Sequence, residues 1–535
     1  CMTGTCLVIT PLIALMKDQI RELKAKGIRA AAIHSDMTHE QCVIALDNCI
    51  LGNYKFLYVS PERLSSPFFL KKIKHLQLSF ITVDEAHCIC QWGYDFRPSY
   101  THIADFRAEC HDVPILALTA TATPEVARDI QKQLNFPTPN VFRMSFHRPN
   151  LSYYIRRTDI KIESLKHLLE STEGSVIIYL RNRLKCESLA EQLTKSGLSA
   201  NAYHAGLKAW VKDERQESWL KGETRIIVAT NAFGMGINKP DVRLVVHMDL
   251  PDSLEEYFQE AGRAGRDGEK AYSVIFIDGN ELKYLKRRVE QSYPPIEYIQ
   301  KVYECLCFFC QLAMGDGMNV TRELNMEQFY RTYGLQPQMT WSSLILLSRA
   351  GYIDFEDEDE SISRLHITAT RNFFLENLTD DEHVLFLNVF RNYGGIFVDY
   401  VIIDEALISH ETGLDPVFIN HSLTELDKRK LLKYIPKKHT PKVTFRQRRV
   451  EKEDIVLPKH LYSTRKKAYK ERIQAIFDYC TCTDRCRSQI LLEYFGERLN
   501  TVCHICDVCE EELQYKVSTD DYQAIRANII RQLSK

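Results

Sequence analysis

The sequence runs to 535 residues, 45% apolar and 26% charged, with a net charge of −2; this is an ordinary globular composition, too long for one core and suited to three or four domains. No apolar run approaches the roughly 18 residues a membrane span needs, and the near-neutral total charge gives no nucleic-acid signal over the whole chain. With no export signal at its start, the chain is expected to be cytoplasmic and to keep its 17 cysteines reduced, some of them holding a metal.

Residues 1 to 145 alternate short apolar runs (TCLVIT, KFLYVS, FITVDEA, ILALTAT) with helical patterns such as LIALMKDQIRELKAKG, which predicts βα repetition and a mostly parallel sheet. Residues 146 to 290 repeat the scheme with SVIIYL, SANAYHA, TRIIVAT, VRLVVHM and AYSVIFI. Ligands of such sheets sit at the C-terminal ends of the strands. From 291 to 460 the pattern turns mainly helical, with two segments that read as β-ribbons, GYIDFEDEDESISRLHIT and KKHTPKVTFRQRRV; helices closing on a basic ribbon suggest a winged helix. Residues 461 to 515 hold a helix and a cysteine cluster, and 516 to 535 form a tail. Between Thr424 and Arg472 there are 17 Lys/Arg against 6 Asp/Glu, either a phosphate-backbone contact or a solvated face.

The strand FITVDEAH delivers Asp84 and Glu85 to the sheet edge. One carboxylate suits Mg²⁺ held through its waters, and its neighbour suits activation of an attacking water; the tetrapeptide alone is also a common surface acidic pair. Trp92, Tyr94, Phe96, Arg97 and Tyr100 follow, flat groups on which something can stack. Thr119 and Thr121 in ALTATAT could bridge the carboxylates to a second ligand or only cap the next helix. Gly234 and Gly236 in FGMGINKPDVR allow positive φ and close approach to a phosphate, or mark a tight turn. In YFQEAGRAGRDG, Arg263 and Arg266 lie three apart among glycines, a spacing that puts two guanidinium forks on one helical face. Such forks stabilise a transferring phosphoryl group by about 10³ to 10⁵ in rate. Cys486, Cys503, Cys506 and Cys509, spaced C-x16-C-x2-C-x2-C, suit a closed tetrahedral Zn²⁺ site, with Cys480 and Cys482 as bystanders.

Taken in order, DEAHCICQWGYDFRPSY, ALTATAT, YHAGL, ATNAFGMGINKPDVR, QEAGRAGRDG and the cysteine spacing resemble the superfamily 2 DNA helicases of the RecQ type, over residues 1 to about 290 and again from about 465. The resemblance implies two RecA-like lobes with ATP and Mg²⁺ between them, and movement 3′ to 5′ on DNA in recombination and repair. It implies catalytic roles for Asp84, Glu85, His87, Gln259, Arg263 and Arg266, with Arg266 as the finger, and nucleotide contacts at Gly234, Gly236, Thr119 and Thr121. It further implies that an aromatic loop with Trp92, Phe96 and Arg97 senses single-stranded DNA by stacking, at about 1–3 kcal/mol per base. Pro11, in TPLIALMKDQ, and SPERL are matched to first-lobe DNA contacts, and Arg183, Thr230 and Asn231 to second-lobe contacts.

The sequence departs from the family twice. It contains no G-x-x-x-x-G-K-[ST], whose backbone N–H groups and lysine cradle the phosphates, so the N-terminal segment is expected to be missing and these residues alone to bind ATP weakly. Some 170 residues also separate the second lobe from the zinc module, as a displaced winged helix or an unrelated insertion. A DEAH-box RNA helicase and a non-enzymatic DNA platform are the rival expectations.

Overall fold

Residues 3–34, 37–90, 97–110, 112–234, 237–356, 363–436 and 441–515 are described by the computed structural model, and the chain divides into two units, 1–287 with 465–535, and 288–464. In the first unit, apolar runs form strands β1 (Thr5–Ile9), β2 (Ala30–Ile33), β3 (Phe56–Val59), β4 (Leu78–Val83) and β5 (Ile115–Ala117). They pair in parallel in the order β2-β3-β1-β4-β5. Every residue of β1 is buried: Leu7 and Ile9 enter one core cluster and Cys6 and Val8 another, as expected of a strand covered on both faces. The chain builds β2 and β3 on one side of β1 and β4 and β5 on the other. Thr10 and Asp84, which follow β1 and β4, therefore stand at the point where strand order reverses, the usual ligand crevice.

A second parallel sheet holds β6 (Leu151–Arg157), β7 (Ser175–Tyr179), β8 (Ala200–Tyr203), β9 (Ile226–Ala229), β10 (Val242–His247) and β11 (Ala271–Ile277), in the order β6-β11-β10-β7-β9-β8. Its order reverses between β7 and β10. Among the described residues no helix is long and apolar enough to cross a membrane.

The second unit corrects both ribbon expectations. Strand β13 (Ile353–Glu356) does not pair with β14 (Ser363–Ile367); of KKHTPKVTFRQRRV, 437–440 lie outside the described residues and the rest holds one strand, β17 (Lys442–Phe445), which does not pair with the preceding β16 (Leu432–Ile435). Instead β17 lies between β12 (Thr321–Glu323) and β13, while β14 lies between β15 (Val401–Ile403) and β16, all antiparallel. Helices Ile296–Phe309, Met326–Tyr333 and Pro337–Arg349 share a core with Ile353, Val443 and Phe445. Helices Asp380–Asn392, Glu405–Thr412 and Pro416–Lys428 share a separate core with Leu365, Ile367 and Leu432. Among the described residues the first set has three helices and the second four, counting the short Arg371–Glu376 whose Phe374 enters the same core; each adds a three-stranded sheet, as in a winged helix, and the second is inserted in the hairpin loop, or wing, of the first. Local capping fixes the inner helices: Thr379 and Glu382 form a reciprocal capping box, and Asp404 and Asp415 each accept a backbone N–H from the first turn that follows.

Candidate active site and metal centre

Beyond β4 the backbone turns sharply. The Asp84 N–H still donates to Ile9 O (2.9 Å), but Glu85 takes φ 46°, ψ 45°, a left-handed conformation that costs a glutamate about 1–3 kcal/mol and persists where its surroundings over-determine it. Tyr100 Oη donates to Asp84 O (2.9 Å) and Ala86 N–H to Leu118 O (2.9 Å), holding the turn from both sides. Tyr100 is fully buried, so it braces the carboxylates and offers no stacking face. Thr10 Oγ1 donates to Asp84 Oδ2 (3.2 Å) and the Glu85 N–H to Oδ1 (3.0 Å). Burial nevertheless raises the Asp84 pKa against those two bonds. An anion so placed is one that a divalent cation stabilises, so the residues fit Mg²⁺.

The Glu85 carboxylate folds back onto His87, which is 1% exposed. His87 Nδ1 lies 3.3 Å from Glu85 Oε2 and 3.0 Å from Thr119 Oγ1, so a continuous contact joins the ends of β4 and β5. Thr119 thus commits its hydroxyl to His87 and accepts the Thr121 N–H (3.4 Å). A cavity of about 440 Å³ beside them is lined by His87 and Thr121 of the first lobe, Glu255 of the second, and Arg472 and Tyr494 of the zinc module. Trp92 and Phe96 lie outside the described residues. Arg97 is described: its N–H donates to Cys88 O (3.0 Å), which ties it to the residue next to His87 in sequence.

In the second lobe, Ser253 caps helix Leu254–Ala261 by accepting the Glu256 N–H (3.1 Å), and Gln259 lies in its last turn, half-buried. Gly265 (φ 61°) and Gly268 (φ 90°) then need the left-handed region. Gly234 does not; what it supplies is space, since a Cβ there would stand 2.9 Å from Asn231 O and 3.3 Å from Arg263 Nη2. Gly236 lies outside the described residues. Arg263 is buried with no hydrogen-bond partner for Nε. Arg266 donates to Ile237 O (2.6 Å) and Asn238 Oδ1 (3.2 Å). Desolvation, then repulsion from Arg263 and Arg148, lowers its pKa to about 10, so it stays charged at neutral pH. Where strand order reverses, His247 Nε2 meets Glu260 Oε2 at 2.8 Å in a small polar cleft with Arg181, Asp249 and Glu256.

Arg183 is exposed at the first turn of helix Arg183–Lys195, where its charge adds to the positive helix end, an arrangement suited to phosphate. Asn231 is exposed. Thr230 is buried, with Oγ1 accepting from Ala232 N–H (3.4 Å), so it shapes the turn. Pro11 is half-buried next to Thr10. In the basic segment 424–472, ion pairs engage Lys428 with Glu425, Arg429 with Glu382, Lys433 with Asp427, Arg446 with Asp354 and Lys452 with Glu304. Arg449 stacks over Phe308 (4.5 Å) and donates to Leu312 O. Arg448 is exposed.

Cys486, Cys503, Cys506 and Cys509 bring their sulfurs within 4.8 Å of one another. The Cys506–Cys509 and Cys503–Cys509 separations, 3.4 and 3.9 Å, bracket the edge of about 3.8 Å that a tetrahedron with 2.3 Å metal–sulfur arms requires. Four thiolates close the site, which fits structural Zn²⁺. Between the last two ligands, Asp507 pairs with Arg487 (2.8 Å) and accepts the outward Ile155 N–H of edge strand β6 (2.8 Å), docking the module on the second lobe.

Residues 2–130 match the family model described as DEAD/DEAH box helicase, 160–268 the helicase conserved C-terminal domain, 367–436 the RecQ helicase winged-helix domain of Bacteroidota, and 444–510 the RecQ zinc-binding domain. The winged-helix match therefore falls ahead of the metal centre, which answers what separates lobe from zinc module. The chain is 43% identical over 288 residues to the ATP-dependent DNA helicase RecQ of Haemophilus influenzae, covering 54% of this chain and 46% of that protein. It is 40% identical over 291 residues to that of Bacillus subtilis (54% and 49%), and 36% over 334 residues to the RecQ-like DNA helicase BLM of Xenopus laevis (56% and 24%). The chain spans about half the length of the bacterial relatives and less of the last.

Proposed function

Because the chain belongs to the RecQ-type superfamily 2 helicases, we propose that it acts as an ATP-dependent motor that unwinds DNA 3′ to 5′ in recombination and repair. The observation that carries this reading is Glu85, held left-handed so that its carboxylate lies against His87, which in turn contacts Thr119. Asp84 would hold Mg²⁺ through its waters, and the ion would screen charge on the phosphates. Glu85 takes the proton of the attacking water, and His87 orients Glu85. Arg263 and Arg266, with Gln259, bring positive charge to the phosphates from the second lobe, Arg266 as the finger. Thr119, Thr121, Gly234 and Gly236 border the nucleotide. DNA runs over Pro11, Arg183 and Asn231, with Thr230 buried in the turn that presents Asn231, and bases stack on Trp92, Phe96 and Arg97. Because Arg97 is bonded to Cys88, the neighbour of His87, stacking on it would reach Glu85 through His87.

We assign the domains as first lobe 1–145, second lobe 146–290, inserted region 291–460, zinc module 461–515 and tail 516–535. A cytoplasmic location belongs to this proposal and rests on a thiolate centre that needs reduced cysteines. Without a phosphate-cradle motif in these 535 residues, ATP turnover by them alone should stay at background. Joining the P-loop segment of a matched relative ahead of residue 1 should yield ATPase stimulated by single-stranded DNA and not by RNA, and Glu85→Gln should abolish it. Absence of DNA-stimulated turnover in the extended protein would sink the motor reading; turnover by the 535 residues alone would sink the cradle argument.

A further inference from the structure

The segment joining the two lobes holds more than a covalent link. Glu497 of the zinc module accepts Ser145 Oγ (2.5 Å) on one carboxylate oxygen and the Phe146 N–H (2.8 Å) on the other. The Phe146 ring stacks on Phe495 (4.9 Å) and meets the edge of Phe258 (5.7 Å), which itself contacts Phe495 (4.9 Å). Phe258 lies on the helix that ends in the arginine motif. Two residues further along the connector, Arg148 forks into the motif itself: Nη1 donates to Gly262 O (3.2 Å), and Nη2 to Ala264 O and Gly265 O (both 2.9 Å). Asn150 Nδ2 donates to Gly265 O (2.7 Å) and Glu269 O (2.9 Å).

Gly262 O belongs to the C-cap of helix Leu254–Ala261, at the negative end of its dipole, where a cation is favoured, and Ala264 O and Gly265 O belong to the turns that follow. A lysine or a glycine cap would satisfy one or two of them. A planar fork spread over three carbonyls does more, because it fixes the path of the chain between Arg263 and Arg266. Gly265 supports this arrangement: a Cβ there would stand 2.6 Å from Asn150 Nδ2.

We propose that Arg148 and Asn150 are positioning residues for the arginine motif, and that the connector bearing them takes its register from Glu497 and Phe495 of the zinc module. The role assigned to the motif rests on the motor reading above; the positioning does not, and it can be measured without nucleotide. In the 535-residue protein, amide hydrogen exchange is followed by mass spectrometry over 258–268, with Ser175–Tyr179 as an internal reference. Arg148→Ala should speed exchange over 262–268 by about tenfold, the loss expected for charge-assisted bonds, leave the reference unchanged, and be reversed by low-millimolar guanidinium. Arg148→Lys, which keeps the charge and loses the fork, should give a smaller rise that guanidinium does not correct. Glu497→Ala should speed exchange over the same residues through Phe146. Unchanged exchange in Arg148→Ala, a rise shared equally by the reference strand, or no response to guanidinium would each overturn the proposal. Loss of the motor reading would appear separately, as absent DNA-stimulated ATPase in the protein extended by a P-loop segment, with the exchange pattern intact.

Discussion

Glu260 and His247 divide one proton. Burial raises the Glu260 carboxyl to about 8 and lowers the His247 imidazole to about 3, so near neutral pH both are uncharged and the carboxyl O–H donates to Nε2. Glu256 is pushed up to about 7 by the same burial and by Glu260. A carboxyl whose folded pKa lies above its ordinary value contributes stability that is complete below about 4.5 and lost as pH rises through about 8. Glu260→Gln keeps a donor for His247 and cannot ionise. Its stability relative to wild type should therefore match near pH 4.5 and gain up to about 1.4 kcal/mol per pH unit toward pH 8, read from thermal midpoints. The histidine runs the other way, losing its contribution as pH falls from 6.5 toward 3, and is common to both proteins. At this scale the motifs exposed the carboxylates, the arginines and the four cysteines, because chemistry restricts which side chains can serve. They did not expose Thr10 as a ligand of Asp84, Tyr100 as a brace, or Arg148 and Asn150. Those side chains bond fixed backbone or neighbours distant in sequence, which leaves no spacing to read.

Strands were legible as strands, but not their partners. Apolar patterning located β13, β14 and β17, and turn-like residues suggested two ribbons, yet β13 and β14 join different sheets and β17 pairs with β12 and β13. Strand β2, AAAI, carries too little bulk to stand out, and β6, LSYYIRR, is too polar; both are held by their pairing with β3 and β11. Charge was similarly legible in sum and not in disposition. Part of the positive charge of 424–472 is tied up in pairs with Glu304, Asp354, Glu382, Glu425 and Asp427. Reversing Arg446 or Arg449 would break internal contacts, whereas Arg448 is exposed and makes a cleaner probe. Arg448→Glu should weaken binding to forked DNA and reduce the slope of log K against log salt by about one, with the thermal midpoint unchanged. Equal affinity and slope would remove this segment from the DNA path.

At the scale of the whole molecule, the lobes and the zinc module followed from motif order, but the nesting of one winged helix within another did not, since it depends on Glu356 meeting Lys442 across the intervening domain. Those two residues are directly opposed in an antiparallel pair, so a two-residue turn can join them. Replacing 357–441 by Asn-Gly should leave a folded protein with one cooperative transition for the outer domain, and residues 363–436 should fold alone around Leu365, Phe386 and Leu426; circular dichroism melts of both products test this. Loss of the outer domain's transition would show that the two cores depend on each other. The register also sets a timetable on the ribosome. Strand β17 is the middle strand of its sheet, and β12 and β13 touch only it. Both must wait unpaired while about 85 further residues are made, some 4 to 17 seconds at ordinary elongation rates, during which the later-born domain can finish folding before the earlier one closes.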